Sequence, residues 1–504
     1  MSSKKQKIAI IGTVGLPAKY GGFETLAEHL VDHMSDDYDI TVYCSSKKYY
    51  KSERQAKYKN ARLVYIPLEA NGIQSIPYDS WSIIHALFYA DVLLILGVAG
   101  AWILPFIRLF TNKKIIISID GIEWKRDKWS RPAKWYLWWA EKMAVKYSHI
   151  DISDNESIQD YTAIRYGTLS RIIEYGADHT MSVRINTSLK SKYPFIGLPY
   201  AFKVCRIEPE NNVDMILRAF EKLPKHRLVI VGNWNNSLYG RNLKEKYSVY
   251  DHIYLLDPIY NQATLDMIRG NAFLYIHGHA AGGTNPSLVE AMYLGLPVFS
   301  FGVSYNRTTT ENKAKYFNNE AQLIQLINET EISEVNNVGR KMKEIANRRY
   351  TWEVISDKYK ALVSEVLVTK TKPAIVPYVT LLPTETLLKH HINHLHFQKL
   401  FFRKIKINHH ASHLYILFTG HNIVICFISD FYASLRYDSY QNRTGGQTRS
   451  PQKTSESHSF GRRISYWIYI VIVDFSFDRN GAYFRFCFKV NGWKLCFIGN
   501  RSHR

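Results

Sequence analysis

The stretch GGTNPSLVEAMYLGLPV, Gly282 to Val298, places two glycines, a Thr, an Asn and a Pro before a helical pattern with a single acid, Glu290. Asn285 suits the N-cap, and Pro286 suits the first helical position, where a missing N–H costs nothing. Gly295 suits the left-handed residue after the helix, and Pro297 keeps the helix from resuming. Upstream, AFLYIHG (Ala272 to Gly278) reads as a buried strand. The unit is strand, glycine loop, short helix, strand. A helix start with open amides behind a glycine loop attracts anions, usually phosphate. The spacing leaves open which phosphate this is and what Glu290 holds.

Other groups could join it. Gly21-Gly22, followed by Glu24 at a second helix start, lets backbone approach an anion or forms a tight strand–helix turn. The loop is not G-x-G-x-x-G, so a dinucleotide fingerprint is not supported. Arg206, before IEPENN, could fork onto a diphosphate or pair with Glu208 or Glu210. DGIEWKRDKWS sets Asp120, Glu123, Lys125, Arg126 and Asp127 after a strand, where acceptor or catalytic contacts form. A solvated loop with Trp124 and Trp129 as packing is the alternative. His277 and His279 lie two apart with no third ligand in reach by spacing, which favours hydrogen-bonding or core histidines over a metal site.

The elements that must position these residues follow from periodicity. KIAIIGT (7–13), DITVYCS (39–45), ARLVYIP (61–67), ADVLLILG (90–97) and KKIIISIDG (113–121) read as strands. A helix begins near Gly22 with Leu26, Leu30 and Met34 at helical spacing. The alternation restarts with PYAFKVCRI (199–207), VDMILRAFEKL (213–223), RLVIVGN (227–233), HIYLLDP (252–258) and NQATLDMIRG (261–270). TWEVISDKYKALVSEVLV (351–368) is a final amphipathic helix. The pattern predicts two doubly wound α/β lobes across a cleft, with a break near 180–198 and ligands at the carboxyl ends of the strands. SRPAKWYLWWAEKMAVKY (130–147) reads as a helix capped by Ser130. Trp135, Trp138, Trp139 and Met143 lie near one face, flanked by Lys128, Arg131, Lys134, Lys142 and Lys146. Such a helix lies at a membrane interface or packs its tryptophans into the lobe.

A chain of 504 residues exceeds one core, so two or three domains are expected. The formal charge of +21 is uneven. Residues 371–504 hold 18 Lys and Arg against 6 Asp and Glu, leaving 47 against 38 for residues 1–370. The first part suits anionic ligands or an anionic membrane, and no known motif supports nucleic acid. Five scattered Cys without a C-x-x-C pair point to free thiols in a reducing compartment. No signal peptide is visible. Val92 to Ile107, 16 residues with Gly97, Gly100 and Pro105, falls short of the roughly 18–20 needed to span a membrane and reads as strand, loop and helix. Beyond Lys370 the α/β alternation stops. The tail reads as a β-rich appendage, a membrane-peripheral segment, or sequence out of its native frame. The composition jump after a terminal helix favours the last.

Taken together, IGTVGLPAKYGGFETLAEHL, IDGIEWKRDKWS, CRIEPENNVDMILRAF, VGNWNNSLYG and HGHAAGGTNPSLVEAMYLGLPV resemble bacterial family 4 retaining glycosyltransferases. More narrowly they resemble the rhamnosyltransferase-like branch of capsule and cell-wall polysaccharide synthesis. The resemblance covers about residues 5–368. It implies a GT-B fold: an acceptor lobe at 1–190, a donor-nucleotide lobe at 191–350 and a crossing helix at 351–370, with 371–504 as an atypical tail. It implies sugar transfer from a nucleotide-diphosphate donor without a metal or other cofactor. Asp120, Glu123 and Arg206 would be catalytic, Arg206 neutralising the leaving diphosphate. Gly21, Gly22, His277, Gly282, Gly283, Thr284, Asn285, Ser287 and Leu288 would bind substrate, with helix amides at 284–288 for phosphate. Glu290 would take the ribose hydroxyls.

Three positions depart from the family pattern. Gly282 stands where ordinary members carry a Glu, Asn211 where they carry a Lys, and Asp120 where many carry a His. The resemblance to the rhamnosyl-type branch implies a different sugar pocket. The expected activity is transfer of L-rhamnose from dTDP-rhamnose to a polyprenyl-diphosphate-linked sugar, by a cytoplasmic enzyme peripheral on the inner face of the plasma membrane. A UDP-hexose donor, a GT-B epimerase or hydrolase, and a binding-only pseudoenzyme are the alternatives.

Overall fold

The computed structural model describes residues 5–19, 21–119, 121–126, 129–185 and 190–372, together with the backbone of five strands between Ser412 and Gly499. Asp120, Asp127 and Lys128 lie outside the described residues.

The first lobe is an eight-stranded sheet. Its strands are β1 (Lys7–Ile11), β2 (Asp39–Ser45), β3 (Lys57–Tyr58), β4 (Ala61–Ile66), β5 (Val92–Leu96), β6 (Lys114–Ile119), β7 (Ile150–Ser153) and β8 (Arg171–Ile172), in the order β3-β4-β2-β1-β5-β6-β7-β8. Only β3 pairs antiparallel. All five residues of β5 are buried, as a strand covered on both faces requires. The apolar run from Val92 is thus spent on a central strand, followed by the helix Leu104–Phe110. Among the described residues no helix is long and apolar enough to cross a membrane.

The second lobe is a six-stranded parallel sheet of β9 (Tyr200–Val204), β10 (Arg227–Val231), β11 (Ile253–Leu256), β12 (Leu274–His277), β13 (Val298–Phe301) and β14 (Lys315–Phe317), ordered β11-β10-β9-β12-β13-β14. The expectation of two doubly wound lobes holds. Helix Trp352–Val368, capped by the Thr351 hydroxyl on the Val354 amide, returns to the first lobe. Its Lys360 pairs with Asp37 at 2.7 Å and its Glu365 with Arg171. One apolar core therefore runs from Ile8, Leu26 and Leu30 through Tyr175 and Trp352 to Phe202, Val289 and Met292.

The strap after this helix carries Lys372 back to the first lobe. Its ammonium pairs with buried Asp151 at 2.6 Å and donates to the Val145 carbonyl. Residues 384–504 form a separate unit. Its described strands are β15 (Ser412–Thr419), β16 (Asn422–Ser429), β17 (Trp467–Asp478), β18 (Gly481–Val490) and β19 (Trp493–Gly499), an antiparallel sheet in chain order.

Candidate active site

Each lobe brings a glycine loop to the same place. In the first, β1 runs into Gly12, whose φ of +95 brings the backbone so close to β5 that a Cβ would fall 2.0 Å from the Leu96 carbonyl oxygen. The loop closes at Gly21-Gly22, the start of helix Gly22–Met34. Glu24 in its first turn folds back, and its carboxylate accepts the Val14 amide at 2.6 Å. A Cβ on Gly21 would sit 1.8 Å from Glu24 Oε2. Burial is the main influence on this carboxyl and raises its pKa.

In the second lobe Asn285 caps helix Pro286–Tyr293 by accepting the Ser287 amide at 3.0 Å and the Ser287 hydroxyl at 2.7 Å. The two loops meet. A Cβ on Gly22 would lie 3.6 Å from Pro286 Cγ, and one on Gly121 would lie 3.2 Å from Gly282 Cα. Gly282 itself has φ +121 and open space around its Cβ position. Backbone conformation, not crowding, is what asks for glycine there. The departure noted in the sequence is thus built into the loop geometry.

Three of the amides expected to face phosphate are engaged within the protein. Thr284 donates to Asp154 Oδ2 at 3.1 Å, Ser287 to its own cap, and Leu288 to the Asn285 carbonyl. Asp154 follows β7 of the first lobe, so a carboxylate of the chain stands at the electropositive helix start. A Cβ on Gly283 would lie 2.0 Å from its Oδ1. Next to it, Asn155 donates to the Thr309 hydroxyl at 3.0 Å and the Tyr305 carbonyl at 3.2 Å, and accepts from Thr308. The lobes are latched through this pair.

Glu290 is held from two sides. Arg269, wholly buried, donates to Oε2 and also pairs with Asp266 at 2.7 Å. His179 Nε2 lies 3.1 Å from Oε1. The Trp352 indole N–H, which can only donate, sits 3.0 Å from His179 Nδ1. That fixes the tautomer: Nδ1 accepts and Nε2–H donates to Glu290. Burial alone would raise the Glu290 carboxyl, but Arg269 and His179 overcome it and hold it below its ordinary value.

Of the other predicted residues, Arg206 is half-exposed at the exit of β9, 3.9 Å from Glu208. Glu123 accepts the Trp129 indole at 2.9 Å and pairs with Arg126 at 3.2 Å. Arg126 also reaches Glu210 of the other lobe at 3.8 Å, so it bridges the cleft. His277 is buried, His279 is half-buried, and their rings stack with centroids 4.4 Å apart. Asp154, Asn155, His179 and Arg269 were not foreseen. Arg269 carried one local signal, the Asp266 three residues earlier on its helix. The others meet partners more than a hundred residues away.

The helix Arg131–Tyr147 divides its tryptophans, Trp138 packing into the lobe and Trp135 standing exposed. Ser130 stands at the N-cap position without a side-chain cap bond. Trp138 lies beneath the Arg165 guanidinium, 4.9 Å from its ring centre. Arg131, Trp135, Lys142 and Lys146 are the exposed residues on one side.

Comparison with known proteins bears on the two lobes and their fold. The family model for a domain of unknown function, DUF1972, matches residues 5–178, and that for glycosyl transferases group 1 matches residues 189–349. A Xenopus tropicalis protein, glycosyltransferase 1 domain-containing protein 1, is 23% identical over 160 residues, 31% of this chain. The match spans 46% of that relative, about half its length. Sucrose-phosphate synthase from Thermosynechococcus elongatus superposes over 73% of this chain and 100% of its own, with TM-score 0.61 and 14% identity. Anabaena HepE in complex with UDP does so over 71% and 100%, with TM-score 0.55 and 12% identity. The two lobes therefore have the GT-B fold.

Proposed function

With a glycosyl transferases group 1 domain at residues 189–349 inside a GT-B fold, we propose that this protein is a retaining glycosyltransferase of surface polysaccharide synthesis. It moves L-rhamnose from dTDP-rhamnose onto a polyprenyl-diphosphate-linked sugar. The observation that carries the reading is that the second lobe's glycine loop and helix start meet two loops of the first lobe, Gly22 against Pro286 and Gly121 against Gly282, with Glu290 fixed behind them. Loops of glycine let a diphosphate lie close to backbone, and an oriented carboxylate can take the sugar hydroxyls of the nucleotide.

In the proposed reaction the bond from the anomeric carbon to the diphosphate oxygen breaks, and the acceptor hydroxyl oxygen bonds to that carbon on the same face. The hydroxyl proton passes to the leaving diphosphate, and charge gathers on that diphosphate. Arg206, at the exit of β9, is the cation assigned to that charge, the kind of stabilisation that dominates such steps. Glu123 and Asp120 are assigned to the acceptor side. Entry of the donor phosphates requires the Asp154 carboxylate to give up the Thr284 amide, so binding and lobe movement are coupled. The lipid acceptor brings the enzyme to the membrane, and Trp135 with Arg131, Lys142 and Lys146 forms the stripe proposed to lie on it.

A UDP-hexose donor is the second reading, kept because Anabaena HepE is held with UDP. The test is a panel of sugar nucleotides with a lipid-linked acceptor on anionic liposomes. Rhamnose transfer from dTDP-rhamnose alone is expected. Turnover without acceptor would instead identify an epimerase or hydrolase, and tight donor binding without turnover a pseudoenzyme.

A further inference from the structure

In the second sheet β9 is laid down first, with β10 on one side and β12 on the other. Such a change of direction marks the ligand crevice of an open α/β sheet. Four side-chain nitrogens are buried there without a hydrogen-bond partner: Lys203 Nζ on β9, both ring nitrogens of His277 on β12, and Nδ1 of His279. Native proteins leave few such groups, and an unpaired ammonium is the costliest kind.

The surroundings are positive. His279 feels Lys203, Arg206 and Arg126 together, and burial with this repulsion pushes its pKa well below the ordinary value. Of the acids of the adjoining loop, Glu210 faces Arg126 and Glu208 faces Arg206. Asn211 spends its side-chain amide on the Arg206 carbonyl at 2.6 Å, and Asn212 spends its own on the Gly278 carbonyl at 2.8 Å. Neither offers charge. Lys203 Nζ lies against the Gly278 peptide: a Cβ on Gly278 would lie 3.2 Å from it and 2.5 Å from the Asn211 carbonyl oxygen. Burial lowers the Lys203 pKa, and an anion arriving between it and Arg206 would favour its charged form. A buried lysine at the strand ends without a partner acid is therefore a site for an anion.

We propose that Lys203, flanked by His277 and His279, is a second cation for the donor's diphosphate, meeting it beneath the Gly278 peptide while Arg206 meets it from the strand exit. This rests on the sugar-nucleotide reading above. The assignment separates Lys203 from a core lysine that only packs, because a packing residue would not distinguish a nucleoside from its diphosphate.

The test is calorimetric titration of the full chain with dTDP, UDP, thymidine and uridine. Lys203→Met is expected to weaken the preferred nucleoside diphosphate tenfold or more, while the matching nucleoside stays within twofold. Adding Asn211→Lys to that variant is expected to recover at least threefold. A folded Lys203→Met with unchanged diphosphate affinity, an equal loss for nucleoside and diphosphate, or no recovery in the double variant overturns the proposal. Should Lys203→Met not fold, Asn211→Lys alone decides. A change below threefold shows that the diphosphate already has its cation, and tenfold tightening shows that it lacks one. Absence of binding by the wild-type chain to either diphosphate would sink the donor reading itself.

Discussion

At the residue scale, Glu290 carries the most. Arg269 and His179 each hold one of its oxygens, so the carboxylate is aimed before any ligand arrives. Glu290→Gln keeps the shape and removes the charge. Donor affinity is expected to fall tenfold or more by titration, with a loss of about 2 kcal/mol in denaturant unfolding because buried Arg269 keeps only Asp266. An unchanged donor affinity would refute the ribose role. Gly283 makes a different prediction. Its Cβ position overlaps the Asp154 carboxylate, so Gly283→Ala must break the Asp154–Thr284 contact or part the lobes. A threefold or larger gain in donor affinity is expected by titration, because the contact that donor entry must break is already lost, together with a lower melting temperature. Wild-type affinity in that variant would mean that the latch is not used. Glu290 and Gly283 were both legible in the sequence, since a capped helix behind glycines announces itself locally. Asp154 and His179 were not, because their meaning comes from partners in the other lobe.

At the element scale, helix Gly22–Met34 and helix Trp352–Val368 meet through a stack of His29 on Trp352, with centroids 4.1 Å apart and planes 13° off parallel. Burial, then the nearby His179, lowers the His29 pKa to about 4. His149 is lowered to about 4 as well, by burial and then by Arg108. In the unfolded chain both titrate near 6.5, so between pH 6.5 and 4 the unfolded state binds more protons. Stability therefore falls as pH drops through that window and is fully present above it. Melting temperature followed from pH 7.5 to 4.5 is expected to decline, and His29→Phe, which keeps a ring on Trp352, is expected to flatten the slope. An identical slope in the variant would rule out His29 as a contributor. The crossing helix was readable from its 3.6-residue apolar spacing and its Thr351 cap. The helix Ile332–Arg349 was not read, because its buried Val335, Val338, Met342 and Ile345 are outnumbered by polar residues that face away.

At the scale of the whole molecule, Lys372, beyond the last helix of the two lobes, ties the strap back to buried Asp151. Truncation after Lys372 is expected to leave donor turnover and stability unchanged, which also tests whether residues beyond it serve the reaction. Truncation after Lys370 removes the partner of buried Asp151 and is expected to cost about 3 kcal/mol in denaturant unfolding. Equal stability of the two would show the pair to be idle. The sequence by itself determined two doubly wound sheets, the glycine loops and the capped helix of Glu290, because periodicity, capping and glycine placement act within a dozen residues. Only the tertiary structure decided that Asp154 occupies the helix start, that His179 and Arg269 aim Glu290, that Trp138 packs under Arg165, and that Lys203 is buried without a partner. These depend on which distant segments the sheets bring together, and no local spacing encodes that.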